Sequence, residues 1–245
     1  MKLANKIALV TGASRGIGRA IALKLASEGA TVIVNYKGNE AAAREVLSQI
    51  ESRGGKGLVA QADLGDILQI RKMFSGIEST FPRLDILVNN AGWADFKPLE
   101  EVTEDDFDSI FNLNTRGLFF TTQEAVKRMN DGGRIINISS GITRANVAGG
   151  SVYTGSKAAI EGFMRSWAAE LGPRQITVNT VSPGMTKTDL VVQVTSPERL
   201  EEFAAQTPLG RLGEPEDIAD VVAFICGEGA RWLTAQNVLA NGGVG

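Results

Sequence analysis

The chain has 245 residues, 43% hydrophobic and 22% charged, which is length enough for one large α/β domain and a composition typical of ordinary globular proteins. Its 25 Lys and Arg against 28 Asp and Glu leave a formal net charge of −3, with no general attraction for nucleic acid or an anionic membrane. No histidine is present and Cys226 is the single cysteine, so His-based triads, His general bases and an internal disulfide are excluded and a structural zinc site has no ligand set.

The first apolar run, residues 6–11, is shorter than a membrane helix of about 20 residues or the apolar part of a signal peptide, about 7–15. A cytoplasmic location is therefore expected. The run reads as a strand and leads directly into Thr11-Gly12-Ala13-Ser14-Arg15-Gly16-Ile17-Gly18. A helix over 16–28 follows and stops at Gly29. Glycine lets the backbone turn sharply and lets a pyrophosphate approach main-chain N–H groups, while the helix N-terminus adds roughly half a positive charge. Strand, glycines and helix in this order predict a dinucleotide cradle rather than a plain turn, and the lack of a following Gly-Lys-Ser/Thr disfavours a triphosphate P-loop. The second strand, 31–35, runs into Asn35-Tyr36-Lys37-Gly38-Asn39, with no acid before Glu40. A carboxylate there would hold the ribose 2′-hydroxyl of NAD. Lys37, with Arg15 from the glycine loop, suits the 2′-phosphate of NADP instead; the plainer alternative is two solvated surface charges.

A helix over 40–53, strand over 57–61, helix over 67–80 and strand over 86–89 come next. Thr103 before Glu104-Asp105-Asp106 marks the start of a helix expected to span 104–129. The fifth strand, 134–139, ends in Asn137-Ile138-Ser139-Ser140. Tyr153 and, four residues on, Lys157 then share one face of a helix over 151–171. Bringing a phenol from a pKa of about 10 to near 7 takes roughly 4 kcal/mol, and a unit charge about 4 Å away supplies that much at an effective dielectric near 20. Tyr153 is thus a candidate general acid/base, with Ser140 stabilising charge on a substrate oxygen. A strand over 177–181, helices over 197–205 and 215–228, and a strand over 236–239 complete the chain, with Cys226 as a small core residue. Mostly continuous apolar strands alternating with helices predict a parallel sheet covered on both faces. No linker interrupts the pattern, so residues 1–245 read as one domain. Residues 185–212 break the alternation, where a substrate-covering lobe would be inserted at the sheet's carboxyl edge.

With these motifs the chain resembles the short-chain dehydrogenase/reductase family over essentially its whole length. The resemblance implies a three-layer α/β/α Rossmann fold, its seven-stranded parallel doubly wound sheet ordered 3-2-1-4-5-6-7. It implies NADP(H) held by Gly12, Ser14, Arg15, Gly16, Ile17 and Gly18, by Asn35, Tyr36 and Lys37, and by Asp63 and Leu64 flanking the adenine. Asn90, Ala91 and Gly92 match the motif ending the fourth strand, and Pro183, Gly184, Thr186 and Thr188 would hold the nicotinamide. Asn114 matches a catalytic asparagine that shapes a helix and holds a relay water; Ser140, Tyr153 and Lys157 match the other catalytic positions. Read on its own, Asp63 is equally a turn residue beside Gly65.

Within the family the likeness is to 3-oxoacyl-carrier-protein reductases and carbonyl reductases, through Gly210-Arg211-Leu212-Gly213-Glu214-Pro215-Glu216-Asp217. Arg174 occupies one of two arginine positions for docking an acidic carrier, but the other falls near Asp131, of the wrong sign, which favours a free small molecule. The resemblance implies a homotetramer or homodimer, though Ala235 and Asn241 replace a common Gly and Asp near the C-terminus. Trp93, Phe96 and the lobe residues Leu190, Val191, Val192 and Val194 suit an apolar, ring-containing ketone, or else a core or interface. The expected activity is NADPH-dependent reduction of a ketone, either a 3-oxoacyl thioester or another small apolar carbonyl compound. The alternatives are oxidation of a sugar, polyol or hydroxysteroid, and a non-catalytic NADP-binding sensor.

Overall fold

The computed structural model describes residues 1–244, apart from the side chains at 190 and 194. Short β-branched runs form seven parallel strands: β1 (Ile7–Val10), β2 (Thr31–Tyr36), β3 (Lys56–Gln61), β4 (Leu84–Asn89), β5 (Met129–Ile138), β6 (Thr177–Pro183) and β7 (Asn237–Ala240). Their order is β3-β2-β1-β4-β5-β6-β7, so the chain reverses direction of travel across the sheet between β1 and β4. Such a switch opens a crevice at the carboxyl ends of the strands. Both faces of the sheet are buried, which is why the strands read as apolar runs rather than as alternations.

On one face α1 (Gly16–Ser27), α2 (Glu40–Ser52) and α9 (Pro215–Cys226) bury a core that includes Ile21, Leu25, Val32, Val46, Ile86, Val222 and Cys226. On the other, α3 (Ile67–Thr80), α5 (Leu118–Arg128) and α6 (Ser151–Leu171) cover Leu9, Ile33, Leu87, Ile135 and Val178 with Ile70, Phe74, Ala125 and Met164. The segment between β6 and α9 carries α7 (Asp189–Val194) and α8 (Pro197–Gln206). Thr188 and Ser196 cap these two helices. Among the described residues no helix is long and apolar enough to cross a membrane.

Two elements differ from expectation. The helix expected over 104–129 is α4 (Glu104–Phe111), a π-helical turn over Asn112–Gly117, and then α5. The wider turn brings Gly117 against the Leu64 carbonyl oxygen, where any Cβ would collide, and such bulges recur at functional sites. The strand β5 begins at Met129 rather than 134, passing through Asp131-Gly132-Gly133 with Gly132 at φ +77°. Polar and glycine residues hid that part of the strand, which pairs with β4 through an irregular register between Leu84 and Ile86.

Candidate active site

The glycine loop is tied to β4 by one hydroxyl. Thr11 Oγ1 donates to Val88 O and accepts from the backbone N–H groups of Asn90 and Ala91, at 2.8 and 3.0 Å. Gly12 and Gly16 have φ of +59° and +53°, which L side chains rarely adopt. A Cβ on Gly18 would collide with Gly12 O and the Asn90 amide, so glycine permits the close approach of α1 to the loop. Arg15 stands at the N-cap of α1 with no side-chain cap and no acid in the first turn. The leading N–H groups of this helix are therefore without a side-chain acceptor, and a pyrophosphate fits there.

Several residues expected at the cofactor have side chains that hold the backbone of the cradle. Asn35 is buried; its Oδ1 accepts from Gly12 N at 3.0 Å and its Nδ2 donates to Ala60 O. The Tyr36 ring is buried in the core under α1 and α2, and Leu64 in the opposite core. Thr186 is buried and donates to Gly184 O, and the Asn90 amide donates to Thr11 O and Gly12 O. Their side chains set backbone positions. Ser14 and Ile17 are half-buried on the loop, and Arg15 is exposed. Lys37 is exposed but pairs with Asp63 at 2.7 Å. Asp63 also accepts from Gly65 N, so it serves as the turn residue and as counter-ion to the lysine. Thr188, at the start of the α7–α8 segment or lid, approaches Gly16: a Cβ there would lie 3.4 Å from its methyl group.

Ser140, Tyr153 and Lys157 gather at the carboxyl end of β5. Ser140 Oγ accepts from Ile142 N at 3.3 Å, and its hydroxyl is within hydrogen-bond reach of the Tyr153 phenol. Lys157 is buried, with Nζ donating to Ile138 O at 2.9 Å and lying 5.8 Å from the centre of the Tyr153 ring. Burial pushes the Lys157 amine down to about 8. Burial raises the Tyr153 phenol above its usual value, with the Ser140 hydroxyl pulling the other way. Desolvation thus opposes the acidification expected from the lysine.

Asn114 is fully buried within the π turn. Its Oδ1 accepts from Trp93 N and its Nδ2 donates to Trp93 O, both at 2.8 Å, and to Ser156 Oγ at 3.0 Å. Ser156 Oγ in turn donates to Tyr153 O at 2.7 Å. One amide therefore fixes the loop after β4 against the first turn of α6. Gly92 lies between these groups: a Cβ would sit 3.2 Å from Lys157 Nζ and 3.3 Å from Asn114 Oδ1. Thr11 and Ser156 were not singled out as separate site residues from the sequence. A small hydroxyl adjacent to the catalytic lysine was the available signal for Ser156.

Beside the phenol stands an apolar wall. The Phe96 ring lies 6.0 Å from that of Tyr153, tilted by 59°, and Trp93 and Phe96 are 46% and 51% exposed. Val147 and, on the lid, Met185 and Val192 are also exposed apolar residues. Val191 is half-buried, and the side chains of Leu190 and Val194 lie outside the described residues. A hollow of about 300 Å³ between the lid and the start of α9 is lined by Lys187, Thr188, Asp189, Val192, Gln193 and Glu214. That lining includes neither Ser140 nor Tyr153, so the wall beside Phe96 is the better place for a reacting substrate. Pro183 and Gly184 meet the other side of this edge, the Pro183 carbonyl oxygen lying 3.2 Å from where a Cβ on Gly141 would stand. Among the described residues no cluster could hold a metal ion.

Comparison with known proteins agrees with this architecture. A family model described as enoyl-(acyl carrier protein) reductase matches residues 12–245. The hydroxynaphthalene reductase-like protein Arp2 of Metarhizium brunneum is 44% identical, over 98% of this chain and 95% of that one. A short-chain dehydrogenase/reductase from Serratia marcescens superposes with a TM-score of 0.96 at 40% identity, over 100% of this chain and 99% of that one. The angucycline C-6 ketoreductase LanV, solved with bound NADP, superposes with a TM-score of 0.94 at 43% identity, over 99% of this chain and 96% of that one.

Proposed function

The chain belongs to the short-chain dehydrogenase/reductase family of oxidoreductases, and we propose that it uses NADPH to reduce an apolar, ring-containing ketone to a secondary alcohol. The observation that carries this reading is the exposed Trp93–Phe96 wall, set against a Ser140–Tyr153–Lys157 group at the carboxyl edge of the sheet. The cofactor supplies the hydride. Arg15, which forms no ion pair among the described residues, and Lys37 would hold its 2′-phosphate, with Lys37 exchanging Asp63 for the phosphate oxygens. The uncapped N-terminus of α1 would hold the pyrophosphate, and the buried Lys157 amine would donate to ribose hydroxyls.

The proton chemistry favours reduction. Ser140 donates to the substrate oxygen and stabilises the charge that develops there. Tyr153 then gives its proton to the nascent alkoxide, a base far stronger than phenolate. A phenol held above its ordinary pKa is fully protonated at neutral pH, which is the form reduction needs; oxidation would need the phenolate. The Asn114 amide is spent on Trp93 and Ser156, so any relay of protons at that residue falls to its main chain. Arg174 supports a free ketone over a carrier-bound thioester: its guanidinium is committed to Asp131 at 2.9 Å and to the carbonyl oxygens of Val126 and Met129.

The test is a panel of polycyclic ketones, hydroxynaphthalene-type ketones, quinones, β-ketoacyl thioesters and sugars, followed by NADPH absorbance. Ring ketones should exceed acyl thioesters by at least about tenfold in kcat/KM, the scale on which an apolar pocket discriminates. A preference for the thioesters, or for NADH, would overturn the reading.

A further inference from the structure

Resting on that ketoreductase reading, we infer that Glu161 is a positioning residue that braces the catalytic serine against the helix carrying Tyr153 and Lys157. Glu161 lies on α6, one turn beyond Lys157 and on the same face. Its Oε1 accepts from Thr143 Oγ1 at 2.8 Å and from Ser139 Oγ at 3.3 Å. Those donors flank Ser140 in the chain. Ser139 is the residue before it, and Thr143 lies in the short 3-10 turn Gly141–Arg144 that Ser140 caps. One carboxylate oxygen therefore spans from the catalytic helix to both sides of the catalytic serine.

Lys157 Nζ links the two elements before the serine, at Ile138 O, and Glu161 is the side chain of α6 that also reaches the turn after it. Ser139 Oγ also lies 3.3 Å from Lys157 O, so its single proton is divided between two distant acceptors. Thr143 Oγ1 also has Ser140 O within 3.1 Å, but its contact with Glu161 is the shorter, and hydrogen bonds to a carboxylate are about twice as strong as neutral ones. Glu161 is half-buried and among the described residues forms no ion pair, so its charge is directed at these two hydroxyls. Ser140 must place one proton on the substrate oxygen while Tyr153, on the other element, places a second. A shift of about 1 Å between such groups can cost about a hundredfold in rate, and Glu161 sets that spacing without touching the substrate.

The experiment compares Glu161→Ala, Glu161→Gln and Thr143→Val for kcat and KM with the best ketone, NADPH affinity by fluorescence, and Tm. Glu161→Ala should lower kcat about tenfold while ketone KM and NADPH affinity stay within about twofold, since only transition-state alignment is lost. Glu161→Gln keeps the acceptor oxygen and should recover kcat to within about threefold of the parent. Thr143→Val should reproduce most of the loss and add little in the Ala background, as expected for two halves of one contact. A Glu161→Ala kcat within about twofold of the parent, or a Gln variant no better than Ala, overturns the inference. If the Ala variant does not fold, Glu161→Asp decides, because it keeps the charge and shortens the span: a parental kcat overturns the inference and a selective fall in kcat supports it. A parent that reduces none of the ketones would sink the ketoreductase reading and this inference with it, whereas an active parent with an unaffected Ala variant sinks only the brace.

Discussion

Replacing Lys157 with methionine should destroy turnover yet stabilise the protein in the absence of cofactor. The lysine's amine is buried among the described residues, with a single carbonyl acceptor, and burial has lowered it from 10.5 to about 8. At neutral pH it is still largely charged, so the fold carries a desolvated cation. The shift corresponds to about 3 kcal/mol of lost stability below pH 8, from which roughly 1 kcal/mol is recovered by the bond to Ile138 O. Methionine removes both, for a net gain of about 2 kcal/mol, or about 4–8 °C in Tm for a chain of this size. The sign of the pH dependence follows from the direction of the shift. Between about pH 8 and 10.5 the unfolded chain binds a proton that the native state has released, so the parent gains stability as pH rises through that window. Thermal melts at pH 7 and pH 10 should therefore show the variant's advantage at pH 7 shrinking at pH 10. A variant less stable than the parent at pH 7, or an advantage that does not change with pH, would refute the reasoning.

The same titration should make reductive turnover decline as pH rises through about 8, when the Lys157 amine loses its charge; a flat profile from pH 7 to 10 would count against it. Arg15→Ala with Lys37→Ala should raise KM for NADPH about tenfold or more and leave NADH little changed, because only the 2′-phosphate contacts are removed; equal effects on both cofactors would contradict the assignment. Gly18→Ala should abolish NADPH binding measured by fluorescence, since its Cβ would displace Gly12 O and the Asn90 amide from the cradle. Phe96→Ala should raise KM for a ring ketone about tenfold, with kcat/KM for a small acyclic ketone nearly unchanged; an equal loss on both substrates would remove Phe96 from the substrate wall.

While the strand order came from the family resemblance, the parallel α/β sheet and the carboxyl-edge placement of Ser140, Tyr153 and Lys157 were legible from local pattern, namely apolar runs, glycine turns and a four-residue spacing on one helix. Polar side chains whose partners are distant in sequence were not. The sequence marks Asn35 as a cofactor-site residue at the end of β2, but not that its buried side chain accepts from Gly12 N, 23 positions away. Tyr36 and Leu64 sit at strand ends, but their side chains turn into the two cores. The π turn around Asn114 carries no periodic signal, and the close approach of Gly117 to the Leu64 backbone that accompanies it is a contact distant in sequence. For Tyr153, spacing gave the helical face it shares with Lys157 but not the desolvation that opposes acidification of the phenol.

The central claim is that the Tyr153 phenol delivers a proton to the substrate oxygen as the hydride arrives at carbon. Its most direct test is Tyr153→Phe, with ketone reduction and NADPH affinity measured on the same preparation. The account predicts a fall in kcat of about a thousandfold, the scale of a lost general acid, with NADPH affinity within about twofold of the parent. Reduction at near-parental rate by the phenylalanine variant would contradict it.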